Sequence, residues 1–141
     1  MFLLLRFIFA ALSIPAVGGE GAGSTDFLED IRPILAGKCF PCHGPDKAKR
    51  KGKLRLDTSA GIFSRGSSGS AVVAPGKAGE SLLIEKIEST DEEEIMPPKD
   101  SGLELAPAEV SILRAWVNSG AEWKGHWAYR NPVRQIGRAH V

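Results

Sequence analysis

Two cysteines and a histidine fall within five consecutive positions, Cys39-Phe40-Pro41-Cys42-His43, and this cluster constrains the fold more than any other feature of the chain. Thiols three positions apart lie on one side of a helical turn, so both can reach the same bound group. The sequence contains only these two cysteines, which are too few for a small scaffold held together by disulfides. The spacing therefore predicts a helical turn that presents both thiols and the imidazole to one site.

The C-x-x-C-H pattern is the attachment signature of c-type haem. Both thiols would add to the vinyl groups of one porphyrin, and His43 would be the proximal iron ligand. Three alternatives stay open. A thioredoxin-like redox pair needs a βαβ context that the sequence does not show, a lone Cys39–Cys42 disulfide leaves His43 unexplained, and a zinc site lacks a second ligand cluster because His126 and His140 are single and distant. We predict one covalently bound haem per chain.

A second axial ligand is expected from Met96. It is the only methionine besides Met1, and Pro97 and Pro98 follow it, so its segment is predicted to be a loop rather than a helix. A methionine at such a position is commonly a core side chain, and His126 is a competing ligand. Together with the C-x-x-C-H pattern, the sequence favours His43 and Met96 as the two iron ligands.

The start of the chain is typical of a secretory signal peptide, predicted over residues 1–18. Arg6 precedes an apolar run over residues 7–17 that ends in small residues. An uncleaved membrane anchor is the alternative, but the apolar stretch is shorter than the roughly 20 residues that a spanning helix needs. We therefore expect export to the periplasm of a bacterium, with no membrane span after cleavage and a flexible lead-in over residues 19–25.

The remaining sequence predicts short helices separated by long loops, because it contains 16 glycines and 9 prolines. Apolar spacing from Phe27 to Leu35 predicts one helix, with Asp30 as a candidate N-cap and Pro33 in its first turn, and a second helix over residues 82–87. A third helix is predicted over residues 107–120, while residues 57–79 are predicted to be a loop rich in glycine and serine. The apolar core of such a domain is thin and would gain from a large buried cofactor.

Charge patterning excludes some classes of partner. The chain has 18 basic and 17 acidic residues, a formal net charge of +1, which gives no support to nucleic-acid binding. Six basic residues lie between Lys47 and Arg55, and a solvated loop is the favoured interpretation. The alternatives are a docking surface for an acidic redox partner and neutralisation of haem propionates by Arg55. The acidic residues 91–94 are expected to face solvent, and the tryptophans are expected to pack on the core or the haem edge.

Several ordered motifs resemble the planctomycete-type cytochrome c domain, over residues 26–122. They are the C-x-x-C-H segment continued by Gly44-Pro45-Asp46, Ile31 to Leu35, Lys53 to Asp57, Pro75-Gly76, Ser81 to Leu83, Met96 to Pro98 and Leu113 to Gly120. The resemblance implies an all-α cytochrome c-like fold, haem bound through Cys39, Cys42 and His43, and Met96 as the sixth ligand. One departure is Ala106, where a Ser or Thr cap is more usual.

The family resemblance also bears on the extent of the protein. Such domains form the N-terminal part of longer secreted proteins, and residues 123–135 are expected to begin a linker or a following domain. Residues 136–141 match the translation of a nucleotide sequence similar to a common sequencing adapter. We therefore expect these residues to be an assembly artefact at the end of a truncated gene.

The predicted function is one-electron transfer by a His/Met-ligated haem, with an unidentified redox partner protein. No constellation of acid, base and nucleophile is evident, so an enzyme is not predicted. The alternatives are a catalytic or gas-sensing haem with a labile distal site, and a structural haem module of a larger enzyme.

Overall fold

The computed structural model describes residues 25–124. Five α-helices lie in this part of the chain: α1 (Arg32–Lys38), α2 (Phe40–His43), α3 (Ser59–Ile62), α4 (Leu82–Ile87) and α5 (Pro107–Asn118). A π-helical turn at Phe27–Ile31 precedes α1, and 3-10 turns at Ala78–Glu80 and Lys99–Ser101 precede α4 and α5. The described residues form no strand, only an isolated bridge between Arg65 and Ala71. The predicted all-α class is confirmed for this part of the chain.

The first helical segment is capped by Asp26. Its Oδ1 atom accepts hydrogen bonds from the backbone N–H groups of Leu28 at 2.7 Å and Glu29 at 3.3 Å, donors that the start of a helix otherwise leaves free. The prediction that Asp30 is the N-cap is therefore wrong. Asp30 lies inside the first turn, and its carboxylate instead accepts a hydrogen bond from the Asp26 N–H at 2.8 Å.

Helix α3 lies within the segment that the sequence predicted to be a loop. Thr58 caps it, because its Oγ1 atom accepts a hydrogen bond from the Gly61 N–H at 3.2 Å. The helix has only four residues and buries one of them, Ile62. So short a helix has no apolar periodicity to detect, and its stability comes from the cap and from core packing.

Helices α4 and α5 lie where the sequence predicted them. Ser81 precedes α4 but does not cap it; its hydroxyl accepts a hydrogen bond from the Ala74 N–H at 2.9 Å and donates to the Lys77 carbonyl at 2.9 Å. At the start of α5, Glu109 Oε2 accepts a hydrogen bond from the Ala106 N–H at 2.8 Å. This contact supplies part of the capping that the Ala106 side chain cannot provide.

The core is formed where the first helical segment, α4 and α5 meet. Phe27 stacks on Trp116 and Trp123, with ring centroids 5.8 Å and 4.3 Å away. The indole N–H of Trp116 donates to the Glu122 carbonyl at 3.0 Å, so the buried polar atom is satisfied. Core packing is confirmed for these two tryptophans, while Trp127 lies outside the described residues.

None of the helices between residues 25 and 124 has the length and apolar character that a membrane crossing needs. Some of the predictions fall outside the described residues: the signal peptide, the adapter-derived end, and the positions of His126 and His140.

Candidate functional site

The C-x-x-C-H residues occupy the junction of α1 and α2. Cys39 ends the first helix and precedes the second, and the backbone N–H groups of Cys42 and His43 both donate to its carbonyl, at 3.2 Å and 2.8 Å. The predicted helical turn is therefore present. It holds the two thiols and the imidazole within one turn of backbone.

The segment after the motif folds back and fixes this turn. The N–H of Lys51 donates to the Cys42 carbonyl at 2.8 Å, and the N–H of Leu56 donates to the His43 carbonyl at 2.7 Å. These bonds satisfy carbonyls that the end of a helix leaves without partners. Arg50 adds hydrogen bonds from its guanidinium to the carbonyls of Gly44 and Pro45, at 3.0 Å and 2.8 Å. The chain around His43 is thus held by residues 44–56.

One cavity of about 450 Å³ is lined by all four predicted site residues, Cys39, Cys42, His43 and Met96. Its volume lies within the range of small-molecule and cofactor sites. Most of its wall is apolar, and the lining includes Leu54, Leu56, Val72, Leu83, Ile87 and Leu103. The structure therefore brings Met96, from a distant part of the sequence, to the same cavity as the C-x-x-C-H turn.

The His43 imidazole has a buried polar atom that the described chain does not satisfy. Its Nδ1 atom is inaccessible to solvent and makes no hydrogen bond. Burial lowers the pKa of His43, while the nearby backbone of Lys51 and Leu54 acts in the opposite direction. The neutral imidazole is thus favoured, and this is the form that has a nitrogen lone pair for a metal ion.

The two cysteines are free thiols. Burial raises the pKa of Cys39 to about 12, with further contributions from Cys42 and Glu109. Redox-active cysteines of the thioredoxin type have lowered pKa values, so this thiol does not resemble one. Among residues 25–124, no group of three or more His, Cys, Asp or Glu side chains is arranged to hold a metal ion.

Met96 belongs to a loop that is attached to α4. Its backbone N–H donates to the Lys86 carbonyl at 3.0 Å, and the N–H of Ile95 donates to the Asp91 carbonyl at 2.9 Å. The Met96 side chain is half-buried. The predicted loop conformation is confirmed, and Pro97 and Pro98 line the cavity beside it.

The basic residues near the motif are not all equivalent. Arg55 forms a two-point ion pair with Asp57, at 3.0 Å and 2.5 Å, and this pairing lowers the pKa of Asp57. Lys38 and Lys51 instead line the cavity, together with Lys86 and the acidic Asp100. Because the Arg55 guanidinium is already bonded to the Asp57 carboxylate, Arg55 is a weaker candidate for binding haem propionates than the sequence indicated.

Lys86 lies at the cavity, a position that the sequence did not predict. It lines the cavity, and its ammonium group forms an ion pair with Glu94. The available signal was its spacing, since Lys86 falls on the same face of α4 as Leu82 and Leu83.

Residues 39–100 match the model of a protein family described as Planctomycete cytochrome C. The match supports a planctomycete-type cytochrome c domain over this segment. The match begins at Cys39 and includes Met96, so it covers both parts of the chain that line the cavity. Searches of curated proteins and of solved structures give no match.

Similarity to a cytochrome c family implies binding of haem c, and the residues around the cavity fit that group. Two free thiols lie beside a neutral imidazole with an unsatisfied buried nitrogen. The wall is mostly apolar, as a porphyrin requires, and a thioether lies in the same lining.

Proposed function

We propose that the planctomycete cytochrome c domain is an exported electron-transfer module with one haem attached through Cys39 and Cys42. In this proposal His43 and Met96 are the axial ligands, and the domain is an electron carrier rather than an enzyme. The observation that carries the proposal is that the four side chains line one apolar cavity. Neither thiol takes part in a disulfide, so both are free to form thioethers.

When bound, the haem supplies a one-electron couple between ferric and ferrous iron. The contribution of the chain is to hold ligands and exclude water. The His43 imidazole is supported by its unsatisfied, buried Nδ1 and its lowered pKa, since a neutral ring donates a lone pair without first losing a proton. The Met96 thioether is a soft, neutral donor, which favours ferrous iron and raises the reduction potential.

The apolar lining acts on the same equilibrium. A low-dielectric wall disfavours the additional charge of the ferric state, so side chains such as Leu83 and Ile87 also favour a higher potential. The cavity wall and the Met96 ligand therefore have effects of the same sign, as a carrier with a raised potential requires.

Covalent attachment is tested by extraction. The chain is expressed with its own leader in a bacterium that has a haem-attachment system, and the purified protein is treated with acidified acetone. We expect the haem to stay with the wild-type chain, because thioethers survive denaturation, and to be released from a Cys39→Ser, Cys42→Ser variant. Complete release from the wild-type chain would contradict the proposal.

The assignment of Met96 is tested by Met96→Ala. We expect haem to remain attached, the midpoint potential to fall and ferrous iron to bind carbon monoxide. His126→Ala is the matched control and should change none of these properties. A Met96→Ala protein that keeps a six-coordinate spectrum and an unchanged potential would exclude Met96 and make His126 the leading candidate. Carbon monoxide binding by the wild-type protein as fast as by Met96→Ala would instead favour a gas-binding function.

We also propose that residues 1–18 direct export and that the electron donor or acceptor is a separate protein. Haem attachment to c-type cytochromes takes place outside the bacterial cytoplasm, which supports the first point. Cell fractionation of the expressed chain, followed by a haem stain of each fraction, tests it. We expect stained protein in the periplasm and none when residues 1–18 are deleted. Stained protein confined to the cytoplasm would contradict the proposal.

A further inference from the structure

One residue of α4, Lys86, makes two contacts with the loop that contains Met96. The Met96 N–H donates to the Lys86 carbonyl at 3.0 Å. The side chain of the same lysine forms an ion pair with Glu94, two positions before Met96. Lys86 therefore holds the loop at two points, one through its backbone and one through its ammonium group.

Both partners of the ion pair belong to ordered segments, so the ion pair can fix the position of the loop relative to α4. Leu83, Ile84 and Ile87 of α4 are buried in the core, so Lys86 projects from a fixed helix. On the loop side, the N–H groups of Glu94 and Ile95 both donate to the Asp91 carbonyl, at 3.1 Å and 2.9 Å. Because these bonds make one compact turn, fixing Glu94 also restricts the backbone that leads into Met96.

Burial distinguishes this ion pair from the exposed pair between Lys77 and Glu80. The Lys86 side chain is 28% exposed and lines the cavity, and the Glu94 side chain is 53% exposed. In the pair between Lys77 and Glu80 the side chains are 61% and 67% exposed, and neither residue lines the cavity. A less exposed pair is less weakened by solvent, so the pair between Lys86 and Glu94 is better able to restrain a neighbouring segment than the pair between Lys77 and Glu80.

We propose that Lys86 is a positioning residue that holds Met96 in the cavity and so limits the access of external ligands to the iron. The proposal rests on the assignment of Met96 as the distal ligand in the proposed function. Lys86 does not bind iron here; it acts through the loop. Loss of the ion pair lets the loop open more often, and each opening exposes the coordination position that Met96 would occupy.

The first measurement is the rate at which carbon monoxide binds to the ferrous holoprotein. Lys86→Gln and Glu94→Gln each remove the ion pair while keeping a polar side chain. We expect each to bind carbon monoxide about two- to fivefold faster, the range that a partly exposed ion pair permits. The double variant should be no faster than the singles, because both changes remove the same interaction. The exchange Lys86→Glu with Glu94→Lys should restore a slow rate, and Lys77→Gln should leave it unchanged.

The second measurement does not depend on iron chemistry. Hydrogen exchange of a peptide covering residues 88–99 should accelerate by a similar factor in Lys86→Gln and Glu94→Gln, and not in Lys77→Gln. Additive effects in the double variant would overturn the proposed role of Lys86. So would unchanged hydrogen exchange and unchanged carbon monoxide binding in the single variants, if Met96→Ala still opens the iron; the assignment of Met96 as ligand would then stand. If Met96→Ala does not open the iron, the ligand assignment fails and the control of iron access fails with it.

Discussion

The glycine that follows the C-x-x-C-H turn gives a prediction of defined sign. Gly44 is the C-cap residue of α2, and a Cβ atom placed there would lie 2.3 Å from the carbonyl oxygen of Phe40. That oxygen belongs to the backbone, so the clash cannot be relieved by a rotating side chain. Gly44→Ala must therefore shift the turn that presents the two thiols and His43.

The matched control is Gly37, a glycine in α1 with no atom within 4 Å of the position that its Cβ would occupy. Overpacking costs about 1–3 kcal/mol of the free energy of unfolding, so Gly44→Ala should destabilise the protein by that amount. Gly37→Ala should instead stabilise it by about 0.5–1 kcal/mol, because alanine is the better helix former. The two variants should differ by about 1.5–4 kcal/mol.

Urea unfolding of the holoprotein, followed by haem absorbance and far-UV circular dichroism, measures this difference. We expect the midpoints to move in opposite directions with an unchanged slope. The yield of covalently attached haem should fall for Gly44→Ala and not for Gly37→Ala. A Gly44→Ala protein as stable as the Gly37→Ala protein would refute the argument that the backbone at Gly44 has no room.

Three further predictions concern other contacts. Ser81→Ala removes the hydroxyl that bonds the loop before α4 and should cost about 1–3 kcal/mol in urea unfolding, because buried backbone groups lose their partner. Asp57→Asn should be less stable than wild type at neutral pH, because Arg55 lowers the pKa of Asp57 in the folded protein. The ion pair stabilises the fold at pH values above the ordinary carboxyl pKa, and this stabilisation is lost as the pH falls through the lowered pKa. The free energies of unfolding of the two proteins should therefore converge in acid. Lys51→Glu should slow oxidation by anionic ferricyanide at low salt, with the effect lost at high salt, whereas Lys77→Glu, away from the cavity, should have little effect.

The sequence was sufficient for those features that have a local cause. The C-x-x-C-H spacing predicted the turn of α2, apolar spacing predicted α4 and α5, and the prolines after Met96 predicted a loop. Each of these signals acts within a few residues, so tertiary packing did not have to be known. The predicted N-cap of the first helical segment was Asp30, four residues after the observed cap, Asp26. Only the register of the π-helical turn decides between the two.

Other features depend on contacts between distant parts of the chain and could not be predicted. Helix α3 is stabilised by burial of Ile62 rather than by its own propensity. The pKa of His43 is lowered by burial of the imidazole in the folded chain. The ion pair between Lys86 and Glu94 appears only when the loop is seated on α4, and a lysine on an apolar helix face gives no indication of its partner.

The two halves of the candidate site are supported by different parts of the fold. The His43 half is held by backbone bonds within residues 39–56, whereas the Met96 loop is bonded to α4 through the carbonyl and the ammonium group of Lys86. Covalent attachment through Cys39 and Cys42 would persist whatever position the Met96 loop adopts. Opening of that loop would therefore convert a six-coordinate electron carrier into a ligand-binding haem without loss of the cofactor. If Met96 is the distal ligand as proposed, the electron-transfer function and the gas-binding alternative differ in the stability of one loop rather than in the fold, and the restraint on Met96 is the property that separates them.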